Sequence, residues 1–156
     1  MLVNSKELFK KAQQGHYAIP SANVLDMESI KYHVGVAQEL GLPLIVGVAE
    51  AHLGDNLTLE DAALVGKKYA DAASVPVVLH LDHGMSVETC KKAIDLGFTS
   101  VMIDASMKSF EENVAITKEV VEYAKAKDVS VEAEIGHVAS NFDENDTDAL
   151  YTTAEE

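Results

Sequence analysis

The stretch VVLHLDHG, Val77 to Gly84, sets His80, Asp82 and His83 at the tip of a segment whose other side chains, Val77, Val78, Leu79 and Leu81, are aliphatic. An apolar run of this length, rich in β-branched residues, reads as a buried strand. Residues 80 and 82 of a strand share one face, and residue 83 follows where the chain leaves the sheet. Burying that many ionisable groups without partners costs several kcal/mol. A purely structural role needs three separately satisfied hydrogen bonds; a metal with its acid–base partner needs one site. Other polar residues stand at the ends of apolar runs: Asn23, Glu50 with His52, Asp104 with Ser106, and Glu134 with His137. Two or three carboxylates beside imidazole have the composition of a metal or acid–base centre.

Taken singly, each of these residues has a plainer reading. Asp104 alone reads as a helix N-cap, and Asn23 and Glu50 as loop hydrogen-bonding groups as readily as functional ones. His16, His33 and His52 form no H-x-x-x-H pair and read as ordinary surface or core histidines, and Met85 and Met102 as packing residues.

The elements that must hold these residues alternate regularly. Tyr17–Asn23, Pro43–Val48, Val75–Leu81, Ser100–Ile103 and Val129–Ile135 read as strands, most too continuously apolar to keep one face in water. Helix signals fall between them. Asp26, Thr58, Ser86 and Ser109 are N-cap candidates, Ser109 with Glu112 forms an S-x-x-E capping box, and Gly41 and Gly97 stand where helices end. In the helix after Ser109, Val114, Ile116, Val120, Val121, Tyr123 and Ala124 share one half of the wheel, opposite Lys118, Glu119 and Glu122. After an opening helix from Ser5 to Gln14, the order is β-α-β-α-β-α-β-α-β. That order predicts a parallel sheet with right-handed crossovers, in a doubly wound sheet or a (β/α)8 barrel. In either, the strand ends converge on the face where ligands bind. No G-x-G-x-x-G or G-x-x-x-x-G-K-[ST] follows a strand, which weakens the nucleotide-binding doubly wound option.

Composition excludes several classes of function. The 156 residues make one domain with a real core. Twelve basic residues, all lysine, stand against 26 acidic ones, for a net charge of −14. Such a balance argues against nucleic acid, whose binding needs a basic face, and the absence of arginine removes any bidentate guanidinium clamp for phosphate. The lone Cys90 permits no intrachain disulfide, and no apolar run approaches a membrane span, so a cytoplasmic protein with no membrane partner is expected. Near the C-terminus, a polar stretch from Ser140 to Asp148 precedes LYTTAEE, in which Thr153 and Glu156 make another capping box. A helix is expected to start there, and the sequence reads as cut off after its first turn.

With these motifs in place, the sequence resembles the class II, zinc-dependent ketose-bisphosphate aldolases, the fructose- and tagatose-bisphosphate enzymes. VPVVLHLDHG (Val75–Gly84) is similar to their first signature. GFTSVMIDAS (Gly97–Ser106) and VSVEAEIG (Val129–Gly136) are similar to their fourth and fifth strands, in order and spacing, and the similarity resumes at DALYT (Asp148–Thr152). The resemblance implies a (β/α)8 TIM barrel of which this chain, residues 1–156, holds the first five β/α units as a single domain. It implies a homodimer or homotetramer. By the same resemblance, Asp82 is the catalytic acid/base for the substrate C4 hydroxyl, and His83 is one of three histidine ligands of zinc. Asp104 and Glu134 support that site or bind a second or alternative metal position, and Asn23 lies near the substrate. The implied reaction is retro-aldol cleavage of a ketose 1,6-bisphosphate to dihydroxyacetone phosphate and an aldehyde phosphate, with a second divalent or a monovalent cation as a further candidate.

Departures from the family pattern set the alternatives. Ala139 and Ser140 replace two glycines after strand five, Phe142 stands where a loop glutamate is expected, with Asp143 and Glu144 as candidate replacements, and Ala49 stands where many relatives carry Ser or Thr. A relative acting on another phosphorylated ketose is therefore the rival within the class. The family's other two zinc histidines and its phosphate loop lie beyond strand five. A non-catalytic half-barrel that needs a partner chain is the rival outside the class, and the 156-residue chain alone is expected to be inactive.

Overall fold

Proline and glycine punctuate the alternating apolar runs, and in the computed structural model those runs become five parallel strands joined by helices. The structure describes residues 1–136 and 152–155. After α1 (Lys6–Gly15) come β1 (Ser21–Asn23), α2 (Met27–Leu40), β2 (Leu44–Ala49), a short 3-10 turn (Glu50–His52) and α3 (Leu59–Ala72). The chain continues through β3 (Val77–Gly84), α4 (Val87–Leu96), β4 (Ser100–Ile103), α5 (Phe110–Lys125) and β5 (Ser130–Ala133). All pairings are parallel and the strand order is β1-β2-β3-β4-β5. It runs without the reversal that defines a doubly wound sheet.

The helix boundaries follow local chemistry. The side chains of Asp26, Thr58, Ser86 and Ser109 each accept the backbone N–H three residues on, as expected of N-caps. Gly41 (φ 67°) and Gly97 (φ 100°) end α2 and α4 in the left-handed region that favours glycine. Strand limits differ more from the sequence reading. The Tyr17–Asn23 run is ordered as strand only from Ser21, because Pro20 has no N–H to give and enters the ladder only as the acceptor for Ile45. The third strand starts later than Val75 and runs on through Asp82 and His83 to Gly84. Residues 152–155 carry no helix; Glu156 and the stretch Ser140–Asp148 lie outside the described residues.

The two faces of the sheet have different fates. Leu44, Val46, Val48, Val77, Leu79, Leu81, Val101 and Ile103 pack under α2–α5 in one continuous core, with Phe98 and Cys90. On the opposite face, among the described residues, only the N-terminal end is closed, where Leu8 of α1 packs on Ile45 and Val78. Above it this open face is polar, carrying His80, Asp82, Ser100 and Glu132 around a cavity of about 390 Å³. In α5, Val120 and Ala124 are buried as the wheel predicts. Val121, however, is 42% exposed, and the wheel gave no hint that Asn113 would be buried. Met85 is also exposed, correcting its reading as a packing residue, whereas Met102 is buried.

Helix α3 lies close on the sheet at Gly66, where a Cβ would lie 2.7 Å from Leu79 Cδ1. Leu79→Ala should cost about 2–5 kcal/mol through lost transfer energy and a cavity. Gly66→Ala should cost about 1–3 kcal/mol through overpacking. Urea denaturation should show the double variant losing less than the sum of the two, since the new methyl enters the space that Leu79 vacates.

Candidate metal and acid–base site

Strand β3 pairs with β4 through His80–Ser100 and Leu81–Val101; the register then shifts, and pairing resumes at Gly84–Ile103. His83, at φ 47°, is the residue that makes the step. Gly84 is buried against β4, where a Cβ would stand 2.6 Å from the Met102 carbonyl oxygen and 2.8 Å from Cys90 Sγ. The Asp104 N–H donates to the Gly84 carbonyl at 2.9 Å and locks the irregularity. Its consequence is that neighbouring residues face different surroundings. Asp82 lines the open-face cavity with His80 and Glu132, while His83 turns across β4.

There, His83 Nδ1 lies 2.8 Å from Asp104 Oδ2 and 4.0 Å from Glu134 Oε2. One ligand atom each from His83, Asp104 and Glu134 falls within 4.8 Å of the others. Asp104 is aimed by Ser106, whose N–H and hydroxyl both donate to Oδ1, at 3.0 and 2.6 Å. Glu134 is aimed from behind: its backbone carbonyl accepts the side-chain amide of buried Asn113 at 2.7 Å, and Asn113 in turn accepts the Thr117 hydroxyl. Asn113 escaped sequence reasoning, since a polar residue four before Thr117 on a helix carries no signal of what lies across the space from it.

The electrostatics follow from these contacts. The hydrogen bond to Asp104 raises the pKa of His83 above the ordinary imidazole value; partial burial opposes this, and the charges of Asp82, Asp104 and Glu134 reinforce it. Burial pushes the Asp104 carboxyl up, but hydrogen bonds from Ser106 and His83 outweigh it and leave the pKa below the usual carboxylate value. His80 goes the other way, held low by burial against the opposing charges of Glu132 and Asp82. Burial lifts the Cys90 thiol to about 12, so it is an inert packing group.

The other sequence candidates separate. Asn23 lies on the open face, its Oδ1 over Gly47, where a Cβ would come within 2.8 Å. Register aligns it with Gly47 and His80, two strands from β3 and one row below Asp82, which pairs with Ala49. Glu50 serves the scaffold: its carboxylate accepts the Met85 N–H at 2.6 Å and the Thr89 hydroxyl at 3.0 Å, tying the turn after β2 to the start of α4. His16 ends α1 in the left-handed region, and His52 is exposed in the 3-10 turn. His137 and Phe142, with Asp143 and Glu144, lie outside the described residues.

Two measurements check this geometry. In metal-free protein, the proton on His83 stabilises the fold below the ordinary imidazole pKa, and that contribution fades as pH rises through the raised value. The same proton competes with metal, so divalent-ion affinity should fall as pH drops below it. Asp104→Asn removes the dominant cause, so NMR titration should show the His83 midpoint moving down. Gly84→Ala drives a methyl into the β4 backbone and should cost at least about 1–3 kcal/mol by denaturant melting.

The sequence profile of the family described as "Fructose-bisphosphate aldolase class-II" matches residues 3–156. The chain is 46% identical over 146 residues to a fructose-bisphosphate aldolase of Geobacillus stearothermophilus, covering 92% of this chain and 50% of the relative. It is 44% identical over 148 residues to a 6-phospho-5-dehydro-2-deoxy-D-gluconate aldolase of Halalkalibacterium halodurans, covering 91% and 50%. Among solved structures, the YdjI aldolase of Escherichia coli K12 superposes with a TM-score of 0.82 at 35% identity, covering 90% of this chain and 53% of that one. The chain thus spans about half the length of the curated relatives it matches. Over that span, the matched profile and the level of identity place the chain in the class II fructose-bisphosphate aldolase family.

Proposed function

We propose that the protein carrying this chain catalyses metal-dependent retro-aldol cleavage of a ketose 1,6-bisphosphate, fructose- or tagatose-bisphosphate, to dihydroxyacetone phosphate and an aldehyde phosphate. In this reading, the chain supplies the first five β/α units of a (β/α)8 barrel. The observation that carries the proposal is the His83–Asp104–Glu134 cluster beside Asp82, at the C-terminal ends of three adjacent parallel strands. Sequential strand order, with α2–α5 packed on one face, supports the barrel. The edges of β1 and β5, unpaired among the described residues, are where three further units would close it. Cytoplasmic placement is favoured by the lone unpaired Cys90, and assembly as a dimer or tetramer is carried over from the family alone.

The donor set suits a divalent ion such as Zn2+: one imidazole and two carboxylates offer one ligand atom each within 4.8 Å of one another, with His83 Nδ1 facing both Asp104 and Glu134. When bound, the ion supplies Lewis-acid polarisation of the substrate carbonyl. Asp104 fixes the His83 tautomer and ring orientation, and Ser106 keeps Asp104 ionised for that task. Glu134 faces the same point from the residue after β5 and adds negative charge that favours a cation. Asp82, on the open face, takes the C4 hydroxyl proton as the C3–C4 bond breaks and its electron pair stays with C3. Asn23 reaches the substrate from β1.

A second reading keeps the chemistry and changes the substrate to another phosphorylated ketose. Near-equal identity to the fructose-bisphosphate and deoxygluconate-phosphate relatives favours it, as does Ala49 standing opposite Asp82 in the register. Retro-aldol assays of the intact protein on these substrates separate the two readings. Asp82→Ala should lower turnover by about 10²–10⁴-fold with metal stoichiometry unchanged. His83→Ala should lose turnover and metal together. Equal metal loss in the two variants would refute the division of roles.

A further inference from the structure

One row beneath the metal cluster, a single imidazole touches all three strands that deliver it. His80 of β3 is 6% exposed. Its Nδ1 lies 2.9 Å from Ser100 Oγ on β4, and its Nε2 lies 3.6 Å from Glu132 Oε2 on β5. One tautomer satisfies both neighbours: Nδ1 accepts the Ser100 hydroxyl proton and Nε2–H faces the carboxylate. His80–Ser100 is also a paired position of the β3–β4 ladder, the second-last before the register shifts toward Gly84. Two residues further along each chain segment stand Asp82 on β3 and Glu134, immediately after β5. Asp104 immediately follows β4, four residues beyond Ser100.

We propose that His80, held by Ser100 and Glu132, is a positioning residue that sets the mutual placement of β3, β4 and β5, and through it the convergence of His83, Asp104 and Glu134 on one ion. This rests on the metal-site reading above but not on the identity of the substrate. Main-chain bonds fix strand pairing along each ladder. They leave the tilt of three neighbouring strand ends free to drift, and a metal site tolerates little drift in its donors. A buried side chain bridging three strands removes that freedom. An ordinary core residue at position 80 would give the same burial without the two directional contacts.

The test uses the intact natural protein, stripped of metal and loaded with Co2+ alone as the probe. Ser100→Ala, Glu132→Gln, His80→Ala and His80→Gln are compared, with Ile94→Val in the helix core as a control for general destabilisation. Because Co2+ visible absorption reports ligand geometry, Ser100→Ala and Glu132→Gln should alter the band shape and weaken Co2+ binding by about 10–100-fold. His80→Gln, whose amide still reaches Glu132, should recover part of the affinity lost in His80→Ala. Ile94→Val should lower thermal stability and leave the spectrum unchanged. If Ser100→Ala and Glu132→Gln fold and bind Co2+ with wild-type affinity and spectrum, or if Ile94→Val shifts the spectrum equally, the proposal is overturned. If the protein binds Co2+ but cleaves no ketose bisphosphate, the substrate reading fails and the spectra still decide the role of His80.

Discussion

At Gly84, strand β3 comes so close to β4 that no side chain fits between its Cα and the Met102 carbonyl. That approach, with the left-handed turn at His83, is the constraint on which the polar end of the sheet depends. A regular strand would send residues 82 and 84 to one face and 83 to the other, burying the His83 imidazole under the helices. The irregularity instead lets Asp82 stay on the open face while His83 crosses toward Asp104. Strain at one backbone position is balanced by the Asp104 N–H to Gly84 bond and by the His83–Asp104 contact.

The charge distribution fits the same picture. The chain is strongly acidic, yet much of the excess sits on exposed helix faces, where pairs such as Lys91–Glu119 and Lys92–Glu60 are solvated and contribute little. The carboxylates that meet His83 are partly shielded. Asp104 is held ionised by Ser106, and Glu134 is set by Asn113. A single imidazole facing two oriented carboxylates leaves net negative charge at the cluster, the condition under which a divalent cation is favoured.

Layers on the open face divide the labour. The lowest is apolar, Leu8 against Ile45 and Val78, and closes the N-terminal end of the sheet. The next holds His80, Ser100 and Glu132, whose contacts run between strands. The uppermost presents Asp82, His83, Asp104 and Glu134. Apolar packing thus sits at one end of the strands and the candidate site at the other, the usual division in parallel α/β proteins.

The sequence alone determined what depends on three or four neighbouring residues. The caps at Asp26, Thr58, Ser86 and Ser109, the helix ends at Gly41 and Gly97, the alternation of strand and helix, and the chemical promise of His80–Gly84 were all legible, because capping bonds and side-chain periodicity are local. Tertiary structure decided which distant carboxylates meet His83. Glu50 and Asp104 look alike as acids at strand ends, yet one bonds to Met85 and Thr89 while the other meets His83, 21 residues before it in sequence. The buried Asn113 behind Glu134 and the reach of His80 across two strands were equally hidden. Strand register sets these contacts, and register is fixed by packing across the whole sheet, so no window of sequence contains it.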